Sequence, residues 1–130
     1  MQQPISFLMF EGRAEEAMNF YTSVFPDSKI IHISRYEAGQ PGKEGSVIHA
    51  TFSIKGQTYM CIDSSVSHGF TFTPAISFYI TCDSEVEIDE LYSQLGEGGK
   101  VMMPLGAYPF SKKYCWLSDK FGVSWQLTLV

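Results

Sequence analysis

The sequence predicts an α+β fold: one 130-residue domain holding two βαβββ modules, about residues 4–63 and 75–130, whose curled mixed sheets form a cup. Three observations predict it. A strand, a helix and further strands follow one another twice. The helix stripes of the two halves match at a constant spacing. The final strand carries two chemically different faces, and only one of them suits a core.

Residues 4–10 (PISFLMF) read as a short strand buried on both sides. Residues 13–25 carry a helical period, with Ala14, Ala17, Met18, Tyr21 and Val24 or Phe25 on one stripe, and Phe25-Pro26 ends it. Residues 28–36 form a second strand and 37–45 (EAGQPGKEG) a turn-rich loop. Residues 46–54 and 58–63 pair as a hairpin across Lys55-Gly56. In the second half, residues 75–82 (AISFYITC) make a strand. Ser84-Glu85-Val86-Glu87 is a capping-box pattern opening a helix whose Ile88, Leu91, Tyr92 and Leu95 share a stripe. Gly96-Glu97-Gly98-Gly99 stops that helix and precedes a strand, the reverse of the order a phosphate-cradling loop requires. Residues 112–118 and 122–130 form the last hairpin around Asp119-Lys120-Phe121.

The helices superimpose at an offset of 71, which pairs Ala17 with Ile88, Phe20 with Leu91, Tyr21 with Tyr92 and Val24 with Leu95. The same offset pairs Ser6 with Ser77, while Gly56–Met60 matches Gly122–Gln126 at an offset of 66. One helix shields one face of each module's strands, so the other face curls over a hollow. Strand alternation then sorts the side chains. With a two-residue turn at Lys55-Gly56, Thr51 lies opposite Met60 and Phe52 opposite Tyr59. His49, Thr51 and Met60 therefore face the hollow, and Ile48, Ala50, Phe52, Tyr59 and Cys61 face the helix. In residues 75–82, Ile76, Phe78 and Ile80 go to the core, and Ser77, Tyr79 and Thr81 to the hollow. In the last strand, Trp125 and Leu127 go to the helix layer, and Ser124, Gln126 and Thr128 to the hollow. His32, alternating with Ile30, and His68, in a loop, read as structural or exposed.

Composition excludes several functions. The net charge is −5 with only nine Lys and Arg, and the densest basic stretch is Lys112-Lys113, so nucleic-acid binding is not expected. No apolar run approaches the ~20 residues of a membrane span, and no basic stretch followed by a cleavage site opens the chain. Cys61, Cys82 and Cys115 form an odd set without a CxxC, sit in strand-like apolar runs and read as buried free thiols, which suits a reducing cytoplasm.

Three stretches carry a family resemblance: FLMFEGRAEEAMNFYTSVFPDSKI (residues 7–30), VIHATFSIKGQTYMCID (residues 47–63) and SKKYCWLSDKFGVSWQL (residues 111–127). On them the chain resembles the vicinal-oxygen-chelate superfamily of glyoxalase I, extradiol dioxygenases and bleomycin-resistance proteins. Within it the chain is similar to the PhnB-like branch, which often carries the label 3-demethylubiquinone-9 3-methyltransferase. The resemblance implies the glyoxalase/bleomycin-resistance fold, a homodimer, and, in metal-dependent members, a divalent ion held by one residue from the first and last strands of each module. Those places fall on Ser6, Met60, Ser77 and Gln126. A thioether, two hydroxyls and an amide depart from the His/Glu pattern of such sites and supply no charge to a hard ion, so no metal is expected. LMFEGRAEEA has one glycine, short of the Gly-rich strand-to-helix turn of a nucleotide-type cofactor, and no cofactor is expected.

His49 is the candidate for chemistry, as a general acid/base or a ligand anchor; the alternative is a half-buried strand histidine bonded to a neighbour. Asp63, Asp83 and Asp119 end strands beside turns, where Asp bonds local backbone. Phe110, Tyr114, Trp116 and Tyr79 either form an aromatic ligand wall or pack the core. The first functional expectation is a metal-independent protein that binds a small organic molecule through Ser6, Thr51, Met60, Ser77, Tyr79, Phe110, Trp116, Ser124 and Gln126, sequestering a toxic or antibiotic compound as the bleomycin-resistance relatives do. The second is a lyase- or isomerase-type enzyme on a small metabolite with His49 as acid/base. The third is a structural dimeric module whose cup is filled by its own side chains.

Overall fold

A computed structural model describes residues 3–130. The chain divides into two compact units, one ending at Thr71 and the other running from Phe72 to Val130. Each has one helix and one four-stranded sheet.

The first unit runs β1 (Ser6–Phe10), α1 (Ala14–Val24), β2 (Ser28–Arg35), β3 (Val47–Ile54) and β4 (Gln57–Asp63). Its sheet order is β1-β4-β3-β2, with β1 parallel to β4 and the other neighbours antiparallel. The β3–β4 hairpin turns on Lys55 and Gly56, both at positive φ, the geometry whose twist matches that of the strands. Helix α1 buries Ala14, Ala17, Met18 and Tyr21 against the sheet. Tyr21 stacks on Phe52, and Phe52 on Tyr59, at ring separations of 6.2 and 5.3 Å. Each such side chain taken out of water stabilises the unit by about 2 kcal/mol.

Arg13, at the N-cap, supplies no side-chain cap to α1. The cap comes from Asp63 at the far end of β4. One of its carboxylate oxygens accepts the Gly12 and Ala14 N–H groups and the other the Val47 N–H, all at 2.9 Å. Asp63 is buried. Its bonding is thus long-range, and the local role expected from the sequence is corrected for this residue. At the other end, Phe25 is extended because Pro26 follows it.

The second unit runs β5 (Phe78–Cys82), α2 (Glu85–Gly96), β6 (Lys100–Tyr108), β7 (Ser111–Ser118) and β8 (Ser124–Leu129), with sheet order β5-β8-β7-β6. Again the first strand lies parallel to the last. The Ser84 hydroxyl accepts the Glu87 N–H at 3.1 Å, while the Glu87 carboxylate reaches back to the Asp83 N–H at 2.7 Å, one residue beyond the usual capping-box partner. Ile88, Leu91 and Leu95 bury against Trp125, Leu127, Cys115 and Leu117. Asp119 does bond locally: one oxygen accepts the Phe121 and Val123 N–H groups, and the other accepts the Trp125 indole N–H at 2.9 Å. With Gly122 at φ +92, this accounts for the DKFGVSW turn.

The repeat is real, but its offset is not constant. In the first strands Phe7 neighbours Met60 as Tyr79 neighbours Gln126, an offset of 72. In the helices the buried positions Met18, Tyr21 and Phe25 match Ile88, Leu91 and Leu95, an offset of 70. The 71 expected from the sequence holds for the two helix starts, Ala14 and Glu85, and lies between these two values. The strand-to-helix connection of the first unit, 11–13, is one residue longer than that of the second, 83–84, and Asp63 rather than a local serine caps its helix. Ile76 also departs from expectation: it precedes β5 and is 76% exposed.

Candidate functional site

In each unit the helix covers one face of the sheet, and sheet register decides what the other face holds. Directly paired residues share a face. Across the second sheet, one row on the helix-free side is Tyr79, Gln126, Trp116 and Met103; the next is Thr81, Thr128, Tyr114 and Gly106. Ser77 and Ser124 lie beyond, joined by a 2.7 Å hydrogen bond. Across the first sheet the corresponding row is Phe7, Met60, Thr51 and His32, with His49 paired to Ser34 beside it.

The structure therefore brings Tyr79, Trp116, Gln126, Ser124 and Ser77 together on one face, with Phe110 at the β6–β7 turn. It places Thr51, Met60 and His49 together on the other unit's corresponding face. Ser6 does not join them. The parallel register sets it opposite Tyr59, on the side of β1 that also carries buried Leu8 and Phe10. Phe7 takes the place beside Met60. His32 moves the other way: a β-bulge leaves Ile31 unpaired and turns His32 onto the face of Thr51 rather than that of Ile30.

The polar groups of the second face are largely engaged with one another. The Trp116 indole N–H donates to the Ser124 hydroxyl at 2.9 Å, the Ser111 and Thr128 hydroxyls lie 2.7 Å apart, and the Tyr114 hydroxyl donates to the Gln126 carbonyl oxygen at 2.6 Å. Burial holds the Tyr114 hydroxyl above the usual phenol range, with Tyr79, Cys115 and Tyr108 adding to the effect, so it remains a donor at neutral pH. Tyr114 is walled by Phe110 and Tyr108, both edge-on to it at 4.8 and 5.4 Å. Tyr79 and Phe110 stay exposed, at 58% and 62%.

On the first face, the His49 imidazole makes a 6.1 Å ring contact with Phe7 and, among the described residues, no hydrogen bond to the protein. His68 bonds the Ser64 hydroxyl at 2.6 Å in a surface loop. A groove of about 510 Å³ lies near that loop, lined by Glu11, Glu15, Glu44 and Asp63 among others, and holds none of the residues expected from the sequence to bind a ligand or act on it. Asp63 is taken up by backbone and Glu15 by Arg35, whose guanidinium at 2.6 Å holds the Glu15 carboxyl below its usual range.

A hard divalent ion finds poor donors at the positions the resemblance points to. Gln126 has its oxygen committed to Tyr114, Ser77 is bonded to Ser124, and Met60 offers a thioether. Among the described residues no group of three His, Cys, Asp or Glu side chains is placed to share an ion. The buried thiols do not change this: burial pushes Cys61 and Cys115 up to about 12, with Asp63 adding at Cys61.

The family model for 3-demethylubiquinone-9 3-methyltransferase matches residues 2–128. The chain belongs to that family and is PhnB-like. A Bacillus cereus PhnB protein, provisionally described as a 3-demethylubiquinone-9 3-methyltransferase, is 64% identical over 99% of this chain and 100% of its own, with a TM-score of 0.96. A Pseudomonas aeruginosa protein superimposes at a TM-score of 0.86 with 24% identity, covering 99% and 98% of the two chains. A glyoxylase/bleomycin resistance protein/dioxygenase domain from Frankia superimposes at 0.70 with 13% identity over 99% and 92%, and shows the shared fold. No curated protein matches the chain. The PhnB-like turn DKFGVSW owes its form to the Asp119–Trp125 bond and Gly122. Sequence reasoning missed Asp63 as the hub of the first unit and Tyr108 and Met103 as parts of the second face. The irregular strand that carries the last two, interrupted by Pro104 and Gly106, gives no period to read.

Proposed function

We propose that this PhnB-like protein binds a small organic molecule without a metal ion, on the helix-free face of its second sheet. One observation carries the reading: Gln126 stands between Tyr79 and Trp116 in the middle of that face, its oxygen fixed by Tyr114, amid aromatic rings and mutually bonded hydroxyls. Such a lining grips through ring contact and a few directed hydrogen bonds. A methyl transfer, as the family name suggests, would need a donor cofactor. The strand-to-helix turn Glu11-Gly12-Arg13 has one glycine, and the N–H groups of Gly12 and of Ala14 after it go to Asp63, which does not support a nucleotide-type site there.

The protein works as a homodimer in a reducing compartment such as the cytoplasm. The family resemblance supports the first, and three free, buried cysteines the second. No helix among the described residues is long and apolar enough to cross a membrane.

The test is a melting curve of protein purified without chelator, combined with elemental analysis. Among coumarin, tetramethylammonium and bleomycin as probes, at least one is expected to raise the Tm, by an amount equivalent to about 2.7 kcal/mol at a hundredfold excess over Kd. EDTA is expected to leave it unmoved. One equivalent of a divalent ion that EDTA strips with a fall in Tm overturns the reading. The enzymatic alternative rests on His49, whose imidazole faces the open side of the first sheet without a protein hydrogen bond. It requires a turnover whose pH–rate profile loses a limb in His49→Ala; on the binding reading His49→Ala leaves the ligand-induced rise in Tm intact.

A further inference from the structure

The polar and steric inventory of the second unit's open face narrows the class of ligand. Resting on the binding reading, we infer that this face takes a flat, uncharged aromatic compound with a hydrogen-bond acceptor, its ring over Gly106 and its acceptor on the Gln126 amide.

The first support is a vacancy in the side-chain layer. Gly106 pairs with Tyr114 and so shares its face. A Cβ built there meets nothing within 4 Å, and the backbone is not in the left-handed region. Neither conformation nor close approach calls for glycine at this place. The glycine thus leaves open space on this face, beside its strand partner Tyr114 and two residues before Tyr108.

The second support is the disposition of the rings around it. Tyr108 and Phe110 stack at 5.7 Å with their planes 24° apart, and Tyr114 stands at about a right angle to both. The three rings touch one another, so they leave no box to enclose a cation; they offer faces and edges to an aromatic ring laid against them. The open exposure of Phe110 and Tyr79 extends that surface in two directions.

The third support is the polar account. Tyr108 donates to the Pro104 carbonyl at 2.7 Å, and the Trp116 indole, Ser77, Ser124, Ser111 and Thr128 are bonded among themselves. Gln126 has spent its oxygen on Tyr114, which leaves its N–H pair. A ligand acceptor finds N–H groups of Gln126 without a protein partner among the described residues, whereas a ligand donor must share an oxygen that already accepts a hydrogen bond. The cation on this side of β7, Lys112, is exposed near the strand's outer end, so a charged ligand would gain little at Gln126.

The experiment follows the side-chain amide signals of Gln126 by NMR while the whole protein is titrated with coumarin, a planar aromatic lactone. Naphthalene, which lacks the acceptor, and tetramethylammonium serve as contrasts. Coumarin is expected to shift the Gln126 signals saturably, and naphthalene to bind about tenfold more weakly, the worth of one hydrogen bond. Gly106→Leu fills that open space and is expected to abolish coumarin binding at an unchanged Tm. Gln126→Leu is expected to weaken it about tenfold, and since that change strands the Tyr114 hydroxyl, Gly106→Leu remains the decisive variant. Coumarin binding that survives Gly106→Leu, or naphthalene binding equally tightly, overturns the inference. If tetramethylammonium or bleomycin moves Gln126 while coumarin does not, the inference falls and the binding reading stands. If none of the probes moves any residue of this face, both fall.

Discussion

Asp63 shows how much a single side chain can organise. Its two oxygens hold the entry to α1 and the start of β3, accepting three N–H groups, of which those of Ala14 and Val47 would otherwise be buried without partners. Leaving a buried donor unsatisfied costs about 1–3 kcal/mol. Asp63→Ala is therefore expected to destabilise the protein by about 3 kcal/mol or more in urea unfolding, and Asp63→Asn, which keeps one acceptor, by roughly half as much. A loss below about 1 kcal/mol would contradict this account of the cap. Nothing in the local sequence announced the role. Asp63 and Asp119 both end a strand before a turn, and only the fold separates the remote cap from the local one. The faces of Met60, Thr51, Tyr79 and Gln126, by contrast, were legible, because a period of two needs no knowledge of partners. Ser6 was misplaced for a related reason. Its face depends on where β1 pairs with β4, a contact between distant segments, and a slip of one residue reverses every side chain.

At the scale of elements, helices and hairpins could be read and irregular strands could not. Both helices lie within two residues of their expected bounds, because apolar stripes and breakers such as Pro26 and Gly98 act locally. The bulge at Ile31 and the register shifts of β6 leave no comparable trace. The loop after α2 makes a sharp prediction. Gly99 packs so tightly that a Cβ there would lie 2.1 Å from the Ser118 carbonyl oxygen, with Asp119 backbone at 2.9 Å. Gly99→Ala must push the loop away from the β7 end. The expected cost is about 2 kcal/mol or more, while Gly106→Ala, with open space around it, stays within about 0.5 kcal/mol. Equal melting temperatures for the two variants would refute the distinction.

For the molecule as a whole, each unit holds a thiol pressed well above its ordinary range, Cys61 in one and Cys115 in the other. Burial disfavours the thiolate, and it raises Tyr59 and Tyr114 in the same sense. The folded state holds these protons more tightly than the unfolded chain, so stability is full below the unfolded thiol value near 9 and falls as pH rises toward 12. Denaturation midpoints in urea are expected to drop between pH 8.5 and 10.5, and less steeply in a Cys61→Ala, Cys115→Ala variant. Identical slopes in the two proteins would remove the thiols from the explanation.

The two sheets also end in imperfect borders. Strand β2 closes the first sheet with an unpaired Ile31, and β6 closes the second with a proline and repeated shifts in pairing. A ragged outer strand presents no even row of amides and carbonyls to a stray chain. The same irregularities that hid these segments from periodicity thus guard these two borders against fibrous self-assembly, a safeguard that smoothing β6 into a regular ribbon would forfeit.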